Sequence, residues 1–286
     1  MTRAGRRPFR TLALAALLCL PCAARAAEYD SLSPDQQRLV LRDALNAYDQ
    51  AVAAAARDAR VSRELFRKSI GGFEALLRAG VRTAPLEYNL GNAYFRAGDT
   101  GRAIVHYLRA ARIDPTDARL NANLEYVRRQ VEPYIAAGGG SQLVHRLMFW
   151  NNRTSLRQRF WLSACGAIAG WGLLALRALR RSSSPGLLWS GVIVIGLGAA
   201  NSASAAWQIF DEQRAPAAVI VEGGQSLRTG RGEGYETVLR ETLGAGVELR
   251  VLETRGGWVE VRLANGAVGW LPEAAIERVC PPSEPG

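Results

Sequence analysis

Apolar side chains recur every three or four positions through the first half of the chain, which is the period of an amphipathic helix. The clearest part is a pair of short helices over residues 84–115, with Gly98-Asp99 between them. A glycine followed by an aspartate is typical of the end of one helix and the N-cap of the next. Because helical stretches also precede and follow this pair, the pattern predicts an all-α helical array over residues 27–132.

The helices before this pair lie within residues 34–80. Ser33 followed by Pro34 is a favourable helix start, and the second of these helices ends at Gly80. The first helix carries an apolar stripe made by Leu39, Leu41, Ala44, Leu45 and Tyr48.

Two long apolar stretches follow, at residues 160–179 and 187–207. Each has about the length that a helix needs to cross a bilayer. Asn201 is the strongly polar side chain of the second stretch, and we expect it to hydrogen-bond to the first. Small residues four positions apart allow close helix contact, so we predict a two-helix transmembrane hairpin. The small residues expected at this contact are Gly166, Gly170, Gly196, Ala200 and Ser204.

The last part of the chain, residues 216–279, has a different pattern. Short apolar runs alternate with glycine-rich turns, which is typical of β-strands. The predicted strands are 218–221, 247–252, 258–263 and 267–271. The fold class is therefore multidomain: an all-α array, a membrane hairpin and an all-β domain.

Two further segments are predicted to act at a membrane. Residues 1–26 begin with four arginines within the first ten positions, followed by a short apolar run and the small-residue pattern Ala24-Arg25-Ala26. Together these features indicate a secretory signal peptide. An uncleaved anchor is the alternative. Residues 141–157 mix large apolar side chains with arginine, which suits an amphipathic helix lying in the headgroup plane.

The net charge of +10 is unevenly distributed. Residues 1–26 carry five arginines and residues 141–186 carry seven, with no acidic residue in either segment. A basic excess beside apolar stretches favours lipid headgroups as partners. No basic face is interleaved with aromatic residues, so we expect no nucleic-acid partner.

The sequence offers little for catalysis or metal binding. Of the four cysteines, two lie in the leader, Cys165 lies in an apolar stretch and Cys280 lies near the end. His106 and His145 are the only two histidines, and neither belongs to an acidic or cysteine cluster. We find no nucleophile, metalloprotease or phosphate-loop motif. We therefore expect no metal, no cofactor and no enzymatic activity.

The helix pair over residues 84–115 resembles a tetratricopeptide repeat (TPR). By this resemblance, the residues at the repeat's characteristic spacing pack the two helices together. They are Leu90, Gly91, Tyr94, Ala103, Tyr107, Ala110 and Pro115.

The same resemblance implies that the first helix of each pair faces a protein-binding groove. Asparagine side chains can hold the backbone of an extended peptide, and arginine can pair with acidic groups. The candidate groove residues are Tyr88, Asn92, Arg96, Arg119, Asn123 and Tyr126. A plain solvated face is the alternative for each of them.

The segment 216–279 resembles a bacterial SH3-like barrel. Four short motifs carry the resemblance. They are Leu227-Arg228-Thr229-Gly230, Leu243-Gly244-Ala245-Gly246, Gly256-Gly257-Trp258-Val259-Glu260-Val261 and Gly269-Trp270-Leu271. It gives Trp258, Gly269 and Trp270 structural roles and places the two tryptophans in the core. One departure is the absence of proline after Gly230, so a standard ligand groove is not implied.

The order of these segments resembles that of the BatE-type proteins of bacterial aerotolerance operons. The resemblance implies a non-catalytic, membrane-anchored scaffold in an envelope stress complex. Its implied partners are membrane proteins with von Willebrand factor A domains and a MoxR-type ATPase. Two alternatives stay open: a tether that binds peptidoglycan through the SH3-like domain, and an accessory factor for secretion or cofactor assembly.

The charges alone do not give the orientation in the membrane. Three arginines lie around the turn between the two apolar stretches and three precede the first stretch. The signal peptide favours one arrangement, in which an exported start and two crossings leave both soluble domains outside. We therefore expect a two-span protein of the bacterial inner membrane with its TPR and SH3-like domains in the periplasm.

Overall fold

The structure is a computed structural model whose described residues are 32–133, 135, 154, 156–180 and 185–280. The predicted signal peptide, residues 1–26, lies outside them. The predicted interfacial helix, residues 141–157, lies almost wholly outside them.

Five helices form an antiparallel array in the first part of the chain. Each begins after a residue whose side chain accepts a hydrogen bond from a backbone N–H of the first turn, which satisfies a donor that the helix leaves unpaired. These N-cap residues are Ser33, Asp58, Thr83, Asp99 and Asp117. The helices are α1 (Pro34–Ala54), α2 (Ala59–Arg78), α3 (Ala84–Ala97), α4 (Thr100–Ile113) and α5 (Ala118–Arg128).

Helix α1 packs on α2 through alanines. Ala44, Ala47 and Ala51 are buried, and the hydroxyl groups of Ser69 and Ser62 donate to the carbonyl oxygens of Ala44 and Ala51 at 2.9 and 2.8 Å. Because small residues meet small residues, the two backbones come close together. The leucines of the predicted apolar stripe, Leu39, Leu41 and Leu45, are therefore exposed.

Five strands form an antiparallel sheet in the order β4-β3-β2-β1-β5. Its core is aliphatic, and among the described residues the edge strands β4 and β5 do not pair, so the sheet is open. The fifth strand and a short 3-10 helix before it, Glu273–Ala275, go beyond the predicted strands. The strands are β1 (Ala217–Ile220), β2 (Glu248–Arg255), β3 (Trp258–Leu263), β4 (Val268–Pro272) and β5 (Ile276–Arg278).

Helices α6 (Leu156–Leu179) and α7 (Pro185–Arg214) pack side by side as an antiparallel hairpin. Both are long and apolar enough to cross a membrane, and only 6% of the most apolar part of each helix is buried inside the protein. The two helices approach closely at Gly170, where an added Cβ would lie 2.5 Å from Ile195 Cγ1 and 3.1 Å from the Gly191 carbonyl oxygen.

The hairpin contact departs from the predicted stripe of small residues. The Asn201 amide donates to Ser163 Oγ at 2.8 Å, which confirms its predicted hydrogen bond to the first apolar stretch. Turning Asn201 toward α6 turns the preceding residue, Ala200, about 100° away. Ala200 and Gly196 are accordingly exposed, and their predicted role in packing is corrected. Of the other predicted positions, Gly166 and Ser204 are half-buried.

The sheet packs directly on the helical array through α4. Val219 of β1 and Val279 belong to the same apolar core as the helices. Gly101 of α4 permits the contact, because an added Cβ there would lie 2.6 Å from the Ile220 carbonyl oxygen. On the same side of α4, Arg109 donates to the carbonyl oxygens of Arg278 and Val279 at 2.8 and 2.9 Å.

Two ion pairs border this contact. The fork of Arg128 donates to both carboxylate oxygens of Glu248 at 2.6 and 2.9 Å, and Arg109 lies 2.9 Å from Glu277. Burial lowers the pKa of Arg128, but the hydrogen bonds and charge of Glu248 outweigh it, so the pKa is raised overall. The helices and the sheet therefore meet through an apolar centre with a charged rim.

Candidate functional site

The candidate groove is bordered by α1, α3 and α5, the first helix of each predicted pair and the helix that closes the array. Its centre is a hydrogen-bonded set of three predicted residues, Tyr88, Asn92 and Asn123. The Asn123 amide donates to Tyr88 Oη and to Asn92 Oδ1, each at 3.0 Å. The two asparagines at the groove are therefore hydrogen-bonded to each other.

Tyr107 fixes the orientation of the Asn92 side chain through a hydrogen bond. Its ring is 1% exposed, and its hydroxyl donates to Asn92 Oδ1 at 2.7 Å. Burial raises the pKa of Tyr107 well above its ordinary value, which further disfavours loss of the hydroxyl proton. With Oδ1 of Asn92 accepting two hydrogen bonds, its Nδ2 group is the part that can donate to a bound peptide carbonyl.

Arg96 lies at one border of the groove with a neighbour that the sequence did not single out. Burial raises the pKa of Tyr48 on α1, and the nearby positive charge of Arg96 opposes that rise, so the two side chains lie close together. Tyr48 was predicted only as part of an apolar stripe. Arg96 itself is exposed and supplies positive charge to the groove.

Helix α1 adds an apolar strip to this border. Leu41, Leu45 and Val52 lie on the same face of α1 as Tyr48, at spacings of three, four and seven residues, and all three are exposed. The groove therefore combines an apolar side on α1 with an amide-rich side on α3 and α5.

The two remaining predicted residues lie on the outer part of α5. Tyr126 is 54% exposed and packs edge-on against Phe95, with ring centroids 5.9 Å apart. Arg119 is exposed and lies 3.7 Å from its neighbour Asp117. The structure thus brings Tyr88, Asn92 and Asn123 together and leaves Arg119 and Tyr126 at the rim.

A second surface lies on the sheet domain, where a loop meets β4. The Arg231 guanidinium lies 5.6 Å from the centre of the Trp270 ring, and Tyr235 packs its ring over Gly230 while staying 55% exposed. Trp258 and Trp270 are half-buried and the sheet core is aliphatic, so their predicted place in the core is corrected. Gly269 is buried, and a larger residue would not fit there because an added Cβ would lie 2.7 Å from the Arg228 carbonyl oxygen.

Two segments of the chain match known protein families. Residues 84–117 match the tetratricopeptide repeat. Residues 243–276 match a family described as the bacterial dipeptidyl-peptidase Sh3 domain. These matches support the predicted domain content and indicate protein–protein interaction for the helices, with a hint of cell-wall binding for the sheet domain. No curated protein matches the chain.

The predicted packing residues of the TPR lie where α3 meets α4. All except Pro115, which is in the α4–α5 loop, are buried. Gly91 permits this contact, because an added Cβ would lie 2.7 Å from the ring of Tyr107. The buried set is Leu90, Gly91, Tyr94, Ala103, Tyr107 and Ala110.

A hydrogen-bonded pair of a histidine and a glutamate is buried inside the same TPR. His106 Nδ1 lies 2.7 Å from Glu87 Oε2, both side chains are at most 5% exposed, and Arg82 Nη1 lies 3.4 Å from Glu87 Oε1. Tyr94 stacks on the imidazole at 5.3 Å and donates its hydroxyl to Glu74. Because this pair lies within the helix packing, it holds α3 against α4 and does not face the groove.

Proposed function

We propose that the protein is a non-catalytic membrane-anchored scaffold that recruits a protein segment through its TPR groove. The observation that carries the proposal is the Asn92–Asn123–Tyr88 set beside the apolar strip of α1. Amide groups suit the backbone of a bound segment, the strip suits its apolar side chains, and Arg96 suits an acidic group. The match of α3 and α4 to a repeat associated with protein interaction supports it.

The membrane anchor in this proposal is the hairpin of α6 and α7, inserted in the bacterial inner membrane. Because the sheet packs on α4, the two soluble domains share one side of that membrane, as two crossings require. With an N-terminal signal peptide this side is the periplasm. The BatE-type resemblance then names the partners, A-domain membrane proteins and a MoxR-type ATPase, in an envelope stress complex.

We also propose that the sheet domain is an SH3-like barrel. Its sheet is open between β4 and β5, but the loop between β1 and β2 adds to it. In this loop, Arg228 forms isolated antiparallel β-bridges with Thr237 and with Trp270, and Gln225 forms one with Leu243. These bridges give the loop the role that a further pair of strands has in a closed barrel.

The groove proposal predicts a large loss of partner binding without loss of fold. Changing Arg96, Asn123 and Tyr126 together to alanine is expected to reduce recovery of an A-domain partner at least about tenfold in a pull-down from solubilised membranes. The matched control is Arg63→Ala on the exposed side of α2. Unchanged recovery with the triple variant would exclude the groove as the binding site.

A second candidate function is a tether that binds peptidoglycan through the Sh3-type domain. The family match and the exposed Tyr235 beside Arg231 and Trp270 favour it, because an aromatic ring with a cation suits a peptide carboxylate. If it is right, full-length protein in detergent should pellet with purified wall material. Tyr235→Ala should then lower the pelleted fraction about tenfold, whereas Arg255→Ala at the β2–β3 turn should not. Absence of pelleting by the unaltered protein would contradict the tether.

A further inference from the structure

The end of α5 is held by the sheet domain. The guanidinium of Arg128, the last residue of α5, donates to both carboxylate oxygens of Glu248 at 2.6 and 2.9 Å. Just after the helix, the carbonyl oxygen of Glu132 accepts the backbone N–H of Gly244 at 3.0 Å. We call these bonds together the sheet-to-α5 contact. They join the end of the helical array to the turn before β2 and to the first residue of that strand.

Close packing surrounds these bonds. Val131, which follows α5, packs against the apolar cores of both the helices and the sheet. A Cβ added at Gly246 would lie 2.6 Å from Val131 Cγ2, and one added at Gly244 would overlap the Glu132 carbonyl oxygen. Gly246 also has a positive φ of 98°, which favours glycine. The two glycines therefore leave the space that the end of the helical array occupies.

Helix α5 needs this support more than the other helices of the array. It has 11 residues, and a helix of that length is marginal by itself in water. It packs on α4 through three buried side chains, Leu120, Leu124 and Val127. In a repeat array each unit is stabilised by its neighbours, and the last unit has a neighbouring repeat on one side only. The sheet supplies the second contact that a following repeat would supply in a longer array.

Helix α5 also carries a residue of the groove. Asn123 and Arg128 are five positions apart, so their side chains leave the helix about 140° apart, on opposite sides of its buried stripe. On one side the Asn123 amide donates to Tyr88 Oη and Asn92 Oδ1 of α3, each at 3.0 Å. On the other side Arg128 binds Glu248 of the sheet. The helix is therefore held across its width, and loss of the sheet side would let it rotate on α4.

We propose that the sheet domain sets the geometry of the groove, because the sheet-to-α5 contact keeps Asn123 within hydrogen-bond distance of Tyr88 and Asn92. Arg128 and Glu248 are then positioning residues for the groove, which act through α5 without touching a bound segment. The effect on binding rests on the proposed function, whereas the effect on α5 does not. A segment bound to Asn123 would in turn stabilise the sheet-to-α5 contact, since coupling between two sites is reciprocal.

Reversing the charge of Arg128 in the full-length protein in detergent tests this inference. In Arg128→Glu two carboxylates face each other, so hydrogen exchange of the α5 amides should become about tenfold faster while that of α2 stays unchanged. Recovery of an A-domain partner in a pull-down should fall about tenfold. The exchanged pair, Arg128→Glu with Glu248→Arg, should restore most of both, because the attraction returns with opposite polarity. Arg129→Glu is the matched control, since Arg129 is the exposed neighbour with the same charge.

Glu248→Gln is a milder second variant, which keeps the shape of the side chain and serves if the charge reversal prevents folding. It weakens the charge-assisted bonds without adding repulsion, so α5 exchange should become about fivefold faster. Unchanged α5 exchange in both variants would overturn the inference. Equal acceleration of α5 and α2 would also overturn it, because the whole array would then have been destabilised.

The pull-down separates this inference from the proposed function. If the triple groove variant lowers partner recovery, full recovery by Arg128→Glu would overturn the positioning role and leave the proposed function intact. If the triple variant leaves recovery unchanged, the proposed function fails. The exchange of the α5 amides then still decides whether the sheet holds α5, and with it Asn123, in place.

Discussion

Replacing His106 with leucine is expected to lower the free energy of unfolding of the helical array by about 3 kcal/mol. Glu87 is 1% exposed, and His106 is its closest charged or hydrogen-bonding partner, at 2.7 Å. Leucine preserves much of the volume but leaves the carboxylate buried with only Arg82, at 3.4 Å. Urea unfolding of the full-length protein in mild detergent, followed by helical circular dichroism, measures the loss.

The double variant Glu87→Leu with His106→Leu is the control for this prediction. It removes both polar groups, so no buried charge is left and most of the lost stability should return. A double variant at least as unstable as His106→Leu alone would show that the loss came from packing against Tyr94. The hydrogen-bonded pair of His106 and Glu87 would then contribute little to holding α3 on α4.

Gly101→Ala is expected to separate the sheet from the helices. The added Cβ would lie 2.6 Å from the Ile220 carbonyl oxygen and 2.7 Å from Val221 Cα, and backbone atoms of a sheet cannot move aside as a flexible side chain can. We expect a loss of about 1–3 kcal/mol in the stability of the contact. Hydrogen exchange of the β1 amides should become faster while the exchange of α2 stays unchanged.

Gly71→Ala is the matched control for Gly101→Ala. Gly71 is also helical, and no atom of the described residues lies within 4 Å of a Cβ added there. Alanine should therefore stabilise α2 by about 0.5–1 kcal/mol through its higher helix propensity. Unchanged β1 exchange in Gly101→Ala would contradict the close packing of α4 on β1.

The helices and most strands follow from local sequence. Helix starts at Ser33 and Asp99 and the three-to-four-residue period act within one or two turns, so the sequence alone reveals them. The fifth strand carries no such signal. Its three residues, Ile276–Arg278, pair with β1, which precedes them by more than fifty positions.

Which face of each helix is buried is harder to predict, because the buried face depends on the helix that packs against it. Ala44 is buried instead of Leu45 because Ser69 and Gly72 of α2 lie opposite Ala44. This match of small residues becomes visible only when the two helices are packed together. Likewise the position of Asn201 decides which face of α7 meets α6, and a stripe of small residues does not reveal it.

The groove was partly predictable. A resemblance to the TPR placed Asn92 and Asn123 on one surface, but not their mutual hydrogen bond, which spans 31 positions. Tyr48 was missed because its ring fits an apolar stripe, and only the folded array brings it near the charge of Arg96. The contact of Arg109 with β5 joins residues that are nearly 170 positions apart, and neither segment carries a local signal for it.

The docking of β1 and β5 on α4 has a mechanical consequence. The polypeptide leaves the array after α5, runs through α6 and α7, and returns to a sheet that is clamped against the array it left. With α6 and α7 inserted as proposed, this closed circuit would fasten the groove to the bilayer through both helices. A bound protein would therefore be held at a fixed height and orientation above the membrane. A force applied to it would be transmitted to both helices instead of to one flexible linker.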